Sequence, residues 1–210
     1  MKALFAMATV GRPVAGKTAL AKFLAAELAI QYVPEAAIKR CLRPEYLTRD
    51  SLDERLRDLG YRAAIEVARA SLEAGRPVLV DATFHRRRRR QWFYDAVSKI
   101  ADGVVLFYCR CDDPTKIAQR MASRAVAPRS AETQADSMEV YRFIDTAFEE
   151  PIDDEFPAGL PVAMFLVDTH RNECSPPRVS GAFRDADRSA LTSLHETVRA
   201  RLEACRGWSS

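Results

Sequence analysis

Gly11-Arg12-Pro13-Val14-Ala15-Gly16-Lys17-Thr18 fits the pattern G-x-x-x-x-G-K-[ST] at every fixed position, and it follows the apolar run Leu4 to Val10. A strand that passes through such a loop into a helix is the context a phosphate cradle requires. The spacing has a physical cause. To wrap a polyphosphate, the loop turns its backbone N–H groups inward, and Gly11 and Gly16 permit dihedrals and close approaches that a Cβ would obstruct. Arg12, Pro13, Val14 and Ala15 complete the wall of the cradle. Lys17 is then placed to reach the β- and γ-phosphates and the Thr18 hydroxyl to hold Mg²⁺. The helix that starts near Gly16 points its positive dipole end at the same anion.

Outward from this loop, helical and strand patterns alternate. Leu20, Phe23, Leu24, Glu27 and Leu28 recur at helical spacing among many alanines, which predicts a helix over 17–30. Gln31 to Val33 reads as a short strand stopped by Pro34, and 34–49 reads as a less regular connection carrying Glu35, Lys39, Arg40, Arg43 and Glu45. Leu56, Leu59, Ala63, Val67 and Ala70 follow steps of three and four, so a helix is expected up to Ala74, closed by Gly75 and Pro77. Val78-Leu79-Val80 is then a core strand ending on Asp81. A carboxylate at the C-terminal end of a parallel strand, beside a phosphate loop, sits where Mg²⁺ or a reacting hydroxyl belongs. The alternative is that Asp81 caps the next helix.

His85 is followed by five arginines, Arg86, Arg87, Arg88, Arg89 and Arg90, and then by Trp92, Phe93 and Tyr94. Such a run attracts phosphates, and with the aromatics it offers a nucleic-acid platform if the acceptor is a polynucleotide. Only residues three and four apart share a helix face, so the five cannot all engage one ligand, and the aromatics more often seat a helix on its sheet. Val104 to Cys109 is a further buried strand, and the helix after Asp113-Pro114 carries Arg120 and Arg124 one turn apart. Residues 125–137 are polar and aperiodic, Met138 to Phe148 resumes a helical pattern, and Val162 to Thr169 is the last strand. The closing helix is expected from Leu191, Leu194, Val198 and Leu202.

Composition narrows the classes. With 210 residues, 48% hydrophobic and 29% charged, the chain suits one globular domain over 1–210, neither disordered nor fibrous. The net charge of +3 neither demands nor excludes nucleic acid. Five cysteines without a C-x-x-C pair fit no zinc site and no disulfide framework, so reduced thiols in a cytoplasm are expected. The apolar run before Gly11 is too short for a membrane span or a secretory signal.

These residues resemble those of the P-loop kinases grouped with zeta toxins, polynucleotide 5′-kinases and related small kinases. The resemblance rests on Gly11 to Thr18, on Ala74 to Phe84 with its Asp81-Ala82-Thr83-Phe84 block, on Arg90 and on the Arg120/Arg124 pair, and it covers residues 1 to about 169. It implies an α/β P-loop NTPase sandwich of three layers, with a parallel sheet, helices on both faces and a helical lid at about 120–140. It implies ATP and Mg²⁺ as cofactors and transfer of the γ-phosphate to an unidentified hydroxyl acceptor. Arg120 and Arg124 would close over the phosphates. Glu35, Arg40, Asp81 and Arg90 are the candidate acceptor contacts. Two departures stand out: Val14 and Ala15 replace the inner Gly-Ser of many members, and the slot of the usual catalytic aspartate falls on Ala36, beside Glu35. Glu35 takes that role, or Asp81 does, or the group is lost. With Lys17, Thr18, Asp81 and the lid arginines present, a working enzyme is the expectation. A polynucleotide 5′-hydroxyl kinase and a non-catalytic nucleotide switch are the alternatives to a small-molecule or nucleotide kinase.

Overall fold

The computed structural model describes residues 3–42, 54–126 and 138–206, apart from the side chains of residues 56, 124–126, 205 and 206. Strand β1 (Phe5–Val10) enters the phosphate loop, which opens helix α1 (Lys17–Glu27), and β2 (Gln31–Pro34) runs directly into α2 (Glu35–Leu42). Helix α3 (Glu54–Glu73), β3 (Val78–Asp81), α4 (Arg87–Val97), β4 (Gly103–Arg110), α5 (Pro114–Val126), α6 (Met138–Thr146) and β5 (Val162–Asp168) follow. Two short strands, β6 (Glu173–Cys174) and β7 (Arg178–Ser180), precede the last helix, α7 (Asp185–Arg206).

Five strands pair in parallel in the order β2-β3-β1-β4-β5, while β6 and β7 both pair antiparallel with the outer side of β5. The expected parallel sheet is therefore mixed at one edge: β6 and β7, beyond the last strand read from the sequence, fold back on β5. Central strands are buried on both faces, and alternate residues feed opposite cores. Ala6, Ala8, Val10, Val104, Leu106 and Tyr108 pack with Tyr61, Ile65, Leu72, Phe93, Tyr94 and Val97 on the α3/α4 side. Phe5, Met7, Val105, Phe107 and Cys109 pack with Leu20, Leu24, Leu191, Leu194 and Val198 on the α1/α7 side. The period of two along the strands thus builds three layers.

One local expectation is corrected. The connection after β2 is a helix from Glu35, because Glu35-Ala36-Ala37-Ile38 contains no breaker and puts a carboxylate in the first turn, where the dipole favours it. That geometry brings Glu35 to the C-terminal edge of the sheet. No described helix is long and apolar enough to cross a membrane.

Candidate active site

The phosphate loop is shaped by close approaches. A Cβ on Gly11 (φ +143°) would lie 2.2 Å from the Cys109 carbonyl oxygen, and one on Gly16 (φ +82°) would press on the Thr169 side chain at 3.0 Å. Both positions need glycine for space as well as for dihedral. Val14, standing where many related loops carry glycine, adopts φ +55°, a conformation that costs a β-branched residue on the order of 1–3 kcal/mol. Arg120 holds it there: its Nη1 donates to the Val14 carbonyl at 2.9 Å and to Thr169 Oγ1 at 3.0 Å, and its Nη2 donates to the Thr169 carbonyl at 3.1 Å. Lys17 Nζ donates to the Arg12 carbonyl at 2.7 Å, folded over its own loop. Arg12 turns to α6, where Nε donates to Asp145 Oδ1 at 2.5 Å.

Lys17, Thr18, Glu35, Ala36, Asp81, Ala82 and Thr83 line one cavity at the C-terminal edge of β1, β2 and β3. Asp81, 6% exposed, caps no helix. The next helix begins six residues on, where the Arg87 N–H donates to Glu149 Oε2 at 2.6 Å. The Asp81 carboxylate accepts a hydrogen bond from the Thr9 hydroxyl (3.1 Å) on one oxygen and from the Tyr32 hydroxyl (2.9 Å) on the other. Neither Thr9 nor Tyr32 was a candidate from sequence. The one legible signal was at Thr9, a polar side chain near the C-terminal end of a buried strand.

Glu35 is fully buried, with Lys39 Nζ 3.6 Å from its Oε1. Burial pushes the Lys39 ammonium down from its usual range, opposed by Glu35 and reinforced by Arg57. Gly60 of α3 leaves the room: a Cβ there would stand 2.8 Å from Glu35 Oε1. Arg40 lies in the last turn of α2 and is not among the residues lining the cavity.

The arginine run divides. Arg89 and Arg90 are buried, while Arg86 to Arg88 stay at the surface. Arg89 bonds Glu54 and Asp58 at 2.5 and 2.9 Å. Burial, together with the charges of Arg89 and Arg57, pushes His85 down to about 2. Arg90 makes a bidentate pair with Glu155, 2.6 Å for each contact, and donates to the Phe84 and Glu149 carbonyls at 2.8 Å. The expected acceptor contact at Arg90 is therefore corrected: its fork is committed to protein groups, since a buried guanidinium needs its donors satisfied. Arg86 pairs with Glu149, Arg87 with Asp154 and Arg88 with Asp58. Phe93 and Tyr94 belong to the core, as expected, and Trp92 packs at its margin. The Arg124 side chain and most of the expected lid lie outside the described residues.

A second cavity, of about 540 Å³, opens at the C-terminal ends of β4 and β5 between Arg110, Asp113, Asp168, His170 and Glu173. Asp113 caps α5 through the Thr115 and Lys116 N–H groups, and His170 Nδ1 lies 3.3 Å from its carboxylate.

Comparison with known proteins agrees with this architecture. A family model described as an AAA domain matches residues 7–149. Among solved structures, a candidate kinase from Chloroflexus aurantiacus J-10-fl aligns with a TM-score of 0.61 at 16% identity, over 94% of this chain and 99% of that one. A gluconokinase from Sinorhizobium meliloti 1021 aligns at 0.55 and 14% identity over the whole of both chains. Kti12 from Chaetomium thermophilum, solved in complex with ADP-AlF3, aligns at 0.57 and 14% identity over 91% and 98%. No curated protein matches the chain. At these identities the likeness is one of fold, and that fold is the P-loop NTPase sandwich.

Proposed function

The chain belongs to the AAA-domain family, and from that premise we propose that it is an ATP-dependent kinase transferring the γ-phosphate to a hydroxyl of a small molecule or nucleotide. The observation that carries the reading is the shared cavity: Lys17 and Thr18 of the phosphate loop face Asp81 of β3 and the buried Glu35 of α2. A cradle alone serves any nucleotide-binding protein. A cradle opposed by two carboxylates, Asp81 at the end of β3 and Glu35 opening α2 directly after β2, is arranged for group transfer.

The roles follow from the surroundings. The loop N–H groups and the α1 N-terminus receive the phosphates, and Lys17 exchanges the Arg12 carbonyl for β- and γ-oxygens. Thr18 and Asp81 supply the hard oxygen donors that suit Mg²⁺. When bound, Mg²⁺ neutralises charge on the β- and γ-phosphates. Both Asp81 oxygens already accept hydroxyl hydrogen bonds, which suits a fixed ligand better than a proton carrier. Glu35 is therefore assigned as the base: it takes the acceptor's proton as the acceptor oxygen bonds to Pγ and the bond from Pγ to the bridging oxygen breaks. Arg120, on Val14 and Thr169, stands at the rim of the loop to offset charge on the transferring group. The 540 Å³ cavity beside β5 has the size for a nucleobase and its ribose. Each arginine at 86–90 is paired with a carboxylate of the chain and two of the five are buried, which gives a polynucleotide acceptor no support. Free thiols at Cys41, Cys109, Cys111 and Cys174 support a reducing, cytoplasmic setting.

The test is an acceptor screen with radiolabelled ATP across sugars, nucleosides, aminoglycosides and 5′-hydroxyl oligonucleotides. For the identified acceptor, Glu35→Gln is expected to lower turnover by about 10²-fold or more with ATP affinity retained. A chain that hydrolyses or transfers nothing would leave a nucleotide-dependent switch as the better reading. Equal losses of turnover and ATP affinity in Glu35→Gln would move the base away from Glu35.

A further inference from the structure

Helices α5 and α6 each touch the phosphate loop, and they do so through opposite kinds of contact. From α5, Arg120 reaches in to the Val14 carbonyl. To α6, the loop reaches out: Arg12 Nε bonds Asp145 Oδ1 at 2.5 Å, the guanidinium stands 4.9 Å from the Phe148 ring centroid, and Nη1 lies 3.7 Å from Glu150. Phe148 is in turn stacked on Tyr108 of β4, with centroids 6.0 Å apart and planes 16° off parallel. The segment Arg12 grips is held from its far side. Arg90 donates to the Glu149 and Glu150 carbonyls, and the Glu149 N–H donates to the His85 carbonyl at 2.8 Å. Arg90 also holds the Phe84 carbonyl, next to Thr83, whose own carbonyl accepts the Gly11 N–H at 3.1 Å. The contacts close a circuit. It leaves the phosphate loop at Arg12, crosses α6 and residues 148–150 to Arg90, and returns through Phe84 and Thr83 to Gly11.

We infer that Arg12 is a positioning residue, whose grip on Asp145, Phe148 and Glu150 fixes the phosphate loop against α6, so that nucleotide affinity depends on a carboxylate outside the phosphate cradle. The physical argument is one of loop entropy and geometry. The Arg12 carbonyl is the acceptor for Lys17 Nζ, so the peptide whose side chain is anchored on α6 is the peptide that stations the phosphate-reading lysine. Anchoring that residue removes freedom the loop would otherwise lose on binding phosphate. An arginine suits the task, because one planar fork can pair with a carboxylate while its face lies on an aromatic ring.

This rests on the nucleotide-binding reading above, and titration of the whole chain with MgADP by calorimetry separates the two. Asp145→Asn is expected to weaken ADP binding about five-fold, Asp145→Glu to restore it to within about two-fold, and Arg12→Gln to weaken it about ten-fold. The Arg12→Gln/Asp145→Asn double variant is expected to bind as Arg12→Gln does, because both changes remove one contact. Losses that multiply in the double variant would overturn the inference. Unchanged or tighter binding by Asp145→Asn would do so as well, since Arg12 would then serve the phosphates directly. Absence of ADP binding by the unaltered chain would overturn both this inference and the nucleotide-binding reading beneath it.

Discussion

The phosphate loop and the arginine run are both dense in special residues, yet one is a site built from backbone and the other a set of side chains sorted by their partners. In the loop, Gly11 and Gly16 act by lacking a Cβ, with Cys109 and Thr169 filling the space a side chain would need. Their φ values of +143° and +82° already favour glycine before those distant neighbours are counted. In the run, five identical residues receive opposite fates within one and a half turns. Arg88 keeps 53% of its side chain exposed, against 1% for Arg90. What separates these two is Glu155, 65 residues from Arg90 and its bidentate partner, whereas the α3 carboxylates Glu54 and Asp58 pair with the exposed Arg88 and the buried Arg89 alike. A charged cluster therefore marks where electrostatics will matter without saying whether the charges face water, a ligand or the interior.

The comparison can be broken from either side. The largest effect is expected at the loop: Lys17→Ala should lower ATP turnover by at least about 100-fold, with the circular dichroism spectrum and unfolding midpoint retained. Turnover that survives would remove the loop from the chemistry. Next comes the buried half of the run. Arg90→Ala strands Glu155 without its bidentate partner and should cost about 3–5 kcal/mol of stability in denaturant unfolding. A loss below about 1 kcal/mol would mean that the pair is solvated and that Arg90 is open to a ligand.

A third, smaller effect is a slope. His85 is held neutral with its titration pushed down to about 2, whereas in the unfolded chain it titrates near 6.5. Below about pH 6.5 the unfolded state binds a proton that the folded state refuses, so stability falls as pH falls, by up to about 1.4 kcal/mol per pH unit from this group. His85→Gln should flatten unfolding free energy against pH between about 6.5 and 4.5. An unchanged slope would place the titrating group elsewhere. The smallest effect is expected at the surface, where Arg88→Ala should shift stability by no more than about 0.5 kcal/mol. A cost as large as that of Arg90 would erase the division of the run.

Much of the donor side was legible in sequence. The eight residues from Gly11 to Thr18, the strand ending on Asp81 and the alternation of elements place the phosphate loop and the Asp81 carboxylate on one edge, because each rests on local spacing. The opposite wall of the cavity was less legible. Glu35 stood out only as a charge beside an empty slot, and its burial depends on α2 starting at that residue and on Gly60 of α3 leaving room. Thr9 and Tyr32 were invisible as partners of Asp81, since the pairing joins three strands. Arg12 was read as part of the cradle, and its side chain instead serves α6, 133 residues away.

Glycine dihedrals and strand and helix periods act over a few residues, so the amino-acid sequence alone was enough to place a mostly parallel α/β scaffold around a phosphate loop. Only the tertiary structure decided which charges face the cavity and which lock the frame, because burial of a carboxylate or guanidinium is tolerated only where folding delivers its partner.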